Sequence, residues 1–196
     1  AGYSDRFPPA TGVVDLQTML GLTAEQPLAM SFYQPLEQKP GVLHCKLYHL
    51  SDPLPLSDVI PILENLGLRV LGEFPFHIAQ DSGPSFWIHD FEFTFAANAS
   101  LDIHEANDLF REAFAAIWAG HAENDAFNRL VLLASLPWRD VSLLRAYARY
   151  LKQIRLGFEL PYIASTLIAH ADISRELVRL FRTRFYLARK LSPADL

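Results

Sequence analysis

The chain has 196 residues, 51% of them hydrophobic, 20% charged and 12% aromatic; this is a globular composition with no low-complexity tract, long enough for one domain or two small ones around a buried core. A single cysteine, Cys45, excludes an intrachain disulfide and makes the cytoplasm the default compartment. The net charge of −5 conceals an asymmetry: residues 1–138 hold 6 Lys and Arg against 17 Asp and Glu, whereas residues 139–190 hold 11 against 4, which implies either two docked modules or a basic face that meets a partner.

No apolar run reaches the roughly 18 residues of a membrane span, and the opening "AGYSDRFPPA" has no apolar signal core. The missing initial Met and the ending "LSPADL" read as a segment of a longer protein. In chain order, Val13–Leu20 predicts a short helix ending near Gly21, and Leu28–Gln34 a strand. Glu37–Gly41, "EQKPG", is turn chemistry. Val42–Leu50 predicts a strand that places Leu43, Cys45, Leu47 and His49 on one face. Ser57 then reads as the N-cap of a helix, with Asp58 in its first turn, Pro61 late in that turn and Gly67 just past its end. Arg69–Ile78 and Ser85–Phe95 predict strands joined by the loop "AQDSGP". From Asp102 the period is helical, with candidates over 103–119, 125–135, 138–155, 160–169 and 173–187.

The fold class expected is α+β, followed by an all-α helical module, with domains over 1–98 and 99–196 and the boundary near Ala97–Leu101. The first module has the order αββαββ. That is the ferredoxin-like βαββαβ plan circularly permuted, which implies a four-stranded antiparallel sheet with two helices on one face. The right-handed crossover rule then places Ser85–Phe95 between Val42–Leu50 and Arg69–Ile78.

Few residues invite chemistry. Cys45 beside His44 suggests a thiol–imidazole pair, but strand neighbours point to opposite faces, so Cys45 reads as core. His44, His77, His89 and Asp90 lack metal-ligand spacing and read as packing residues, so no metal is expected. Without GxG, P-loop or nucleophile elbow, no nucleotide site and no catalytic residue is assigned. The turn "SDPLPLSD" is the best small-molecule candidate. Its free N–H groups suit a carboxylate, Asp52 or Asp58 an ammonium, and the site would comprise Asp52, Leu56, Ser57 and Asp58. Arg175, Arg179 and Arg182 form a stripe on the last helix that reads as an interface or as a solvated face. The acidity of the remaining chain argues against nucleic acid. The aromatic residues of the helical part, from Trp118 to Phe185, exceed what a small bundle needs and predict an exposed apolar patch beside that stripe.

"PLSDVIPILENLGLRVLGEFPFHI" with "WIHDFEF" resembles the ACT-like regulatory part of the large bacterial NAD-specific glutamate dehydrogenases, and "AFNRLVLLASLPWRDVSLLRAYARYLKQ" resembles the helical segment that follows it. The resemblance runs from Val13 to Phe185 and makes the Leu54–Ile78 stretch scaffold. It implies a non-catalytic regulatory and interdomain segment of a cytoplasmic, homo-oligomeric enzyme that converts L-glutamate to 2-oxoglutarate with NAD. The catalytic lysines and the NAD site would lie in another domain, so this chain itself would hold no cofactor. Its implied partners are the remaining domains and a small amino-acid effector, not nucleic acid or membrane. ACT ligand turns often carry a glycine, where this chain has "DPLPL". A free-standing ACT-type amino-acid-sensing or protein-interaction module, and an enzyme using Cys45 or the histidines, are the alternatives.

Overall fold

The computed structural model describes residues 2–33, 41–95 and 103–186. Gln34, most of the expected Glu37–Gly41 turn, the boundary at Ala97–Leu101 and the last residue of the final expected helix lie outside the described residues. The rest form two compact units, one from residues between 2 and 64 and between 68 and 95, the other from 65–67 and 103 onward.

The first unit opens with a helical turn, α1 (Tyr3–Arg6), and α2 (Pro9–Leu20). α2 begins four residues before the expected Val13, because Pro8 is extended and Pro9 carries the φ that a first helical position needs. Strands β1 (Leu28–Tyr33) and β2 (Val42–Leu50) follow, then α3 (Leu56–Asn65), β3 (Leu68–Ile78) and β4 (Phe86–Phe95). The sheet order is β1-β2-β4-β3, all antiparallel, with the last strand inserted between β2 and β3 as the crossover rule requires. This is the permuted ferredoxin-like plan. Pro75 is tolerated because β3 is an edge strand, and the register of β3 shifts between Val70 and Gly72.

The placing of both helices on one face is corrected. Phe7 and Met19 of the N-terminal segment join Tyr48, Phe76, Phe86 and Ile88 in one core, on the face that also carries Lys46 and Asp90. The opposite face carries Leu43, Cys45, Leu47, Phe91 and Phe93. Leu54 enters on that side, its N–H donating to His89 at 3.1 Å, and leads into α3, whose Val59, Ile62 and Leu63 are buried. Both faces of the sheet are apolar enough to need a cover; each buried Phe, Met or Ile contributes about 1.5–3 kcal/mol. β2 is accordingly buried almost throughout rather than at alternate residues.

The second unit holds α4 (Ile103–Trp118), a 3₁₀ turn (Ala126–Arg129), α5 (Leu130–Leu133), α6 (Trp138–Gln153), α7 (Leu160–Ala169) and α8 (Ala171–Tyr186). The expected helix over 125–135 is thus a 3₁₀ turn capped by Asp125, which accepts from the Phe127 N–H at 3.1 Å, and then a single α turn. Gly120 (φ +72°) follows α4, Pro137 caps α6 and Pro161 starts α7.

Candidate functional site

The turn favoured in the sequence is built differently from expectation. Pro55, not Ser57, is the N-cap of α3: its carbonyl accepts from the Asp58 and Val59 N–H groups at 3.0 and 3.2 Å. The paired prolines of "DPLPL" hold the approach extended, so the helix starts two residues early. Ser57 Oγ instead donates to Asp58 Oδ1 at 3.3 Å, and Leu56, Ser57 and Asp58 are exposed. Pro61 falls in the second turn, inside the helix. Asp52 is also exposed; its N–H donates to the Leu50 carbonyl, and its own carbonyl accepts from His49 Nδ1 at 2.7 Å.

The chemistry-bearing side chains gather elsewhere, beneath the N-terminal helices. Lys46 points from β2 toward α2, where its Nζ donates to Asp15 Oδ2 at 2.5 Å. The same carboxylate accepts from Tyr48 at 2.7 Å and from Tyr3. Beside it, Asp90 of β4 accepts from Arg6 Nε at 3.1 Å, from the Tyr33 hydroxyl at 2.8 Å and from His44 Nδ1 at 3.2 Å. Aromatic faces enclose the cations: the Lys46 ammonium lies 3.5 Å from the Phe7 centroid and the Arg6 guanidinium 3.6 Å from that of Phe74. Asp15, His44, Lys46 and Asp90 are each at most 3% exposed.

Two cations and two carboxylates therefore balance; Lys46, Asp15 and Asp90 are out of water, where an unpaired charge would cost several kcal/mol, while Arg6 keeps part of its side chain at the surface. Burial pushes the Lys46 ammonium below its ordinary range, with Asp15 opposing. Burial pushes the phenols of Tyr3, Tyr33 and Tyr48 up, and Asp15 and Asp90 push them further. Each carboxylate receives three donors, so the arrangement clamps residues 3–20 to the sheet and presents no open position to a substrate.

On the other face, His89 Nδ1 donates to Glu73 at 2.8 Å while Nε2 accepts from the Leu54 N–H, which fixes the neutral tautomer. His44 and His89 thus lie on opposite faces, and His77 stacks on Trp87 at 4.7 Å. Among the described residues no group of three or more His, Cys, Asp or Glu is placed to hold a metal. Cys45 is fully buried and faces away from His44. The sequence reading missed Arg6, Asp15, Lys46 and the three tyrosines, because alternation along β2 sends Lys46 and Tyr48 to the face opposite Cys45 and Leu47 and their partners lie far off in sequence.

In the second unit, α6, α7 and α8 enclose a groove of about 340 Å³ lined by Leu143, Tyr147, Leu151, Leu167, Leu177 and Phe181, with Arg184 as its charged lining. Tyr147 meets Phe181 edge-on at 6.0 Å. Of the aromatics expected to form a patch, Phe127 is core, while Trp118, Trp138 and Phe181 are half-buried. Tyr147, Tyr150, Phe158, Tyr162 and Phe185 are exposed. In the arginine stripe, Arg182 donates to Asp140 at 2.5 Å and Arg175 to the Ala134 carbonyl at 3.0 Å, while Arg179 lies 3.7 Å from Glu176. Arg175 and Arg182 hold α8 against its own unit.

Two family comparisons match. Residues 27–106 match the glutamate dehydrogenase ACT3 domain, and residues 122–187 match glutamate dehydrogenase helical motif 3. The chain is 66% identical over its whole length to an NAD-specific glutamate dehydrogenase of Pseudomonas aeruginosa, and 48% identical to one of Halomonas elongata; in each case it covers 12% of the relative. A Mycobacterium tuberculosis protein of the same description is 33% identical over 93% of the chain, which covers 11% of that protein. The chain thus spans about an eighth of the length of these relatives.

Proposed function

Because residues 27–106 and 122–187 belong to the glutamate dehydrogenase family, as its ACT3 domain and its helical motif 3, we propose that this chain is a non-catalytic regulatory and interdomain segment of an NAD-specific glutamate dehydrogenase. The observation that carries this reading is the disposition of its ionisable groups. In the first unit the buried ones are consumed in mutual pairing between helix and sheet, and in the second unit the groove between α6, α7 and α8 is lined by apolar side chains with Arg184. A segment that turned over glutamate would need an open position beside its buried titratable cluster; in the first unit that cluster is a closed clamp.

The parent enzyme would oxidise L-glutamate to 2-oxoglutarate in the cytoplasm, with NAD held by another domain and the enzyme assembled as a homo-oligomer. Among the described residues no helix is long and apolar enough to cross a membrane. The purified chain is expected to produce no NADH from glutamate and NAD. Deleting it from the full-length enzyme should impair assembly or effector response while the catalytic domain stays folded. Turnover by the chain alone, persisting in Cys45→Ala, would refute the reading.

A further inference from the structure

The helix α8 is apolar on two sides. Its inner side seats Ser174 and Val178, with Ser174 Oγ donating to the Leu167 carbonyl at 2.8 Å. Its outer side carries Ile173, Leu177 and Leu180, which are 58%, 44% and 65% exposed. The spacing i, i+4, i+7 is that of a seam between packed helices, not of scattered surface leucines. Leu177 and Leu180 of the seam line the groove together with Leu144, Tyr147, Ala148 and Leu151 of α6, of which Leu144 and Ala148 are buried. At the C-terminal end of the seam Arg184 lines the groove and has no carboxylate partner among the described residues. The span from Ile173 to Arg184 is about 16 Å at 1.5 Å per residue.

We infer that this groove is the docking site for an amphipathic helix of the same polypeptide lying outside these 196 residues. That helix presents an apolar row at i, i+4, i+7 to the seam and a carboxylate to Arg184. The inference rests on the interdomain reading above and names the partner that the reading leaves open. A helix is favoured over a small amphiphile because the exposed row extends past the groove to Ile173. A segment of the same polypeptide is favoured because the matched relatives carry about eight times this length. A second copy has less to offer Arg184: the acidic residues of α8 beside the seam, Asp172 and Glu176, already pair with Arg175 and Arg179 of their own helix.

The test places photoreactive benzoylphenylalanine at position 180 of the full-length enzyme and maps the crosslink by mass spectrometry. The expected product is a crosslink within one polypeptide, to a helix with the apolar row and an acidic residue in register with Arg184. A crosslink between copies through α8, or to a non-helical segment, overturns the inference. The mapped helix, made as a labelled peptide, should bind the present chain by fluorescence anisotropy. Arg184→Gln should raise its Kd about tenfold and Leu180→Glu should abolish binding, while Arg179→Gln on the far side of α8 should leave it unchanged. Equal loss from Arg179→Gln, or displacement of the peptide by stoichiometric sodium dodecanoate, also overturns it. Both readouts are independent of turnover by the isolated chain, so failure here leaves the interdomain reading standing.

Discussion

Asp15 gathers three donors on one carboxylate, and its loss would strand the Lys46 ammonium in an apolar shell of Phe7, Tyr3 and Tyr33. Asp15→Ala should therefore destabilise the first unit by about 3–5 kcal/mol, whereas the double variant Asp15→Leu, Lys46→Met removes both charges and should be closer to wild type than the single one. Urea unfolding followed by near-UV circular dichroism separates these outcomes; a double variant as unstable as the sum of its singles would show that Asp15 and Lys46 are not coupled and would refute this account. The phenols give the same site a pH signature. Tyr48 holds its proton in the folded state well above its ordinary value of 10.0, so the stability it contributes is complete below pH 10 and declines as pH rises further. Each such phenol adds a slope of about 1.4 kcal/mol per pH unit. Lys46 acts in the opposite sense. Its folded value is depressed, the unfolded chain binds the extra proton, and stability rises with pH until the ordinary value of 10.5 is passed. The net fall should be shallow at pH 10 and steepen beyond 10.5, and Tyr48→Phe should reduce the slope there. An unchanged slope in that variant would remove Tyr48 from the account.

The element α3 shows where local pattern and outcome diverge. Ser57 and Asp58 look like a cap and a first-turn acid, yet the cap is Pro55, and Ser57 is an exposed helical residue. Ser57→Ala should change stability by less than about 0.5 kcal/mol, where a true cap would cost about 1. Pro61, exposed and in the second turn, has no N–H for the Ser57 carbonyl, so Pro61→Ala should raise stability by about 1–2 kcal/mol after the gain in unfolded-state freedom is subtracted. Thermal melts of the two variants check both. Helix ends marked by glycine and proline were legible: Gly67, Gly120, Pro137 and Pro161 stand where the pattern put them. The strand order was legible as well, because crossover handedness leaves few topologies for αββαββ. The face chosen by α2 was not. His44, Lys46 and Tyr48 alternate with Cys45 and Leu47, so a strand read by itself sends them to solvent; only the distant Asp15 and Asp90 make that face fit to bury. For the same reason the sequence could not show that Arg175 and Arg182 hold α8 inward, since their partners are a carbonyl at Ala134 and a carboxylate at Asp140.

Over the whole molecule, the chain is expected to leave its three tryptophans, Trp87, Trp118 and Trp138, unresponsive to NADH at millimolar concentration; saturable quenching would place a nucleotide site where none is proposed. The order β1-β2-β4-β3 also has a consequence for the protein's manufacture. The strand made last is an inner one, so a ribosome that has released residue 80 has released β2 and β3 with a vacant lane between them. At that moment Lys46 can already meet Asp15, but Arg6 has no Asp90 to grip, and the inner edges of β2 and β3 present open backbone to any neighbouring strand. Folding of this unit is thus withheld until its final strand emerges, and the interval of translation across residues 80–95 is when a nascent chain most needs a chaperone or a slow, protected exit.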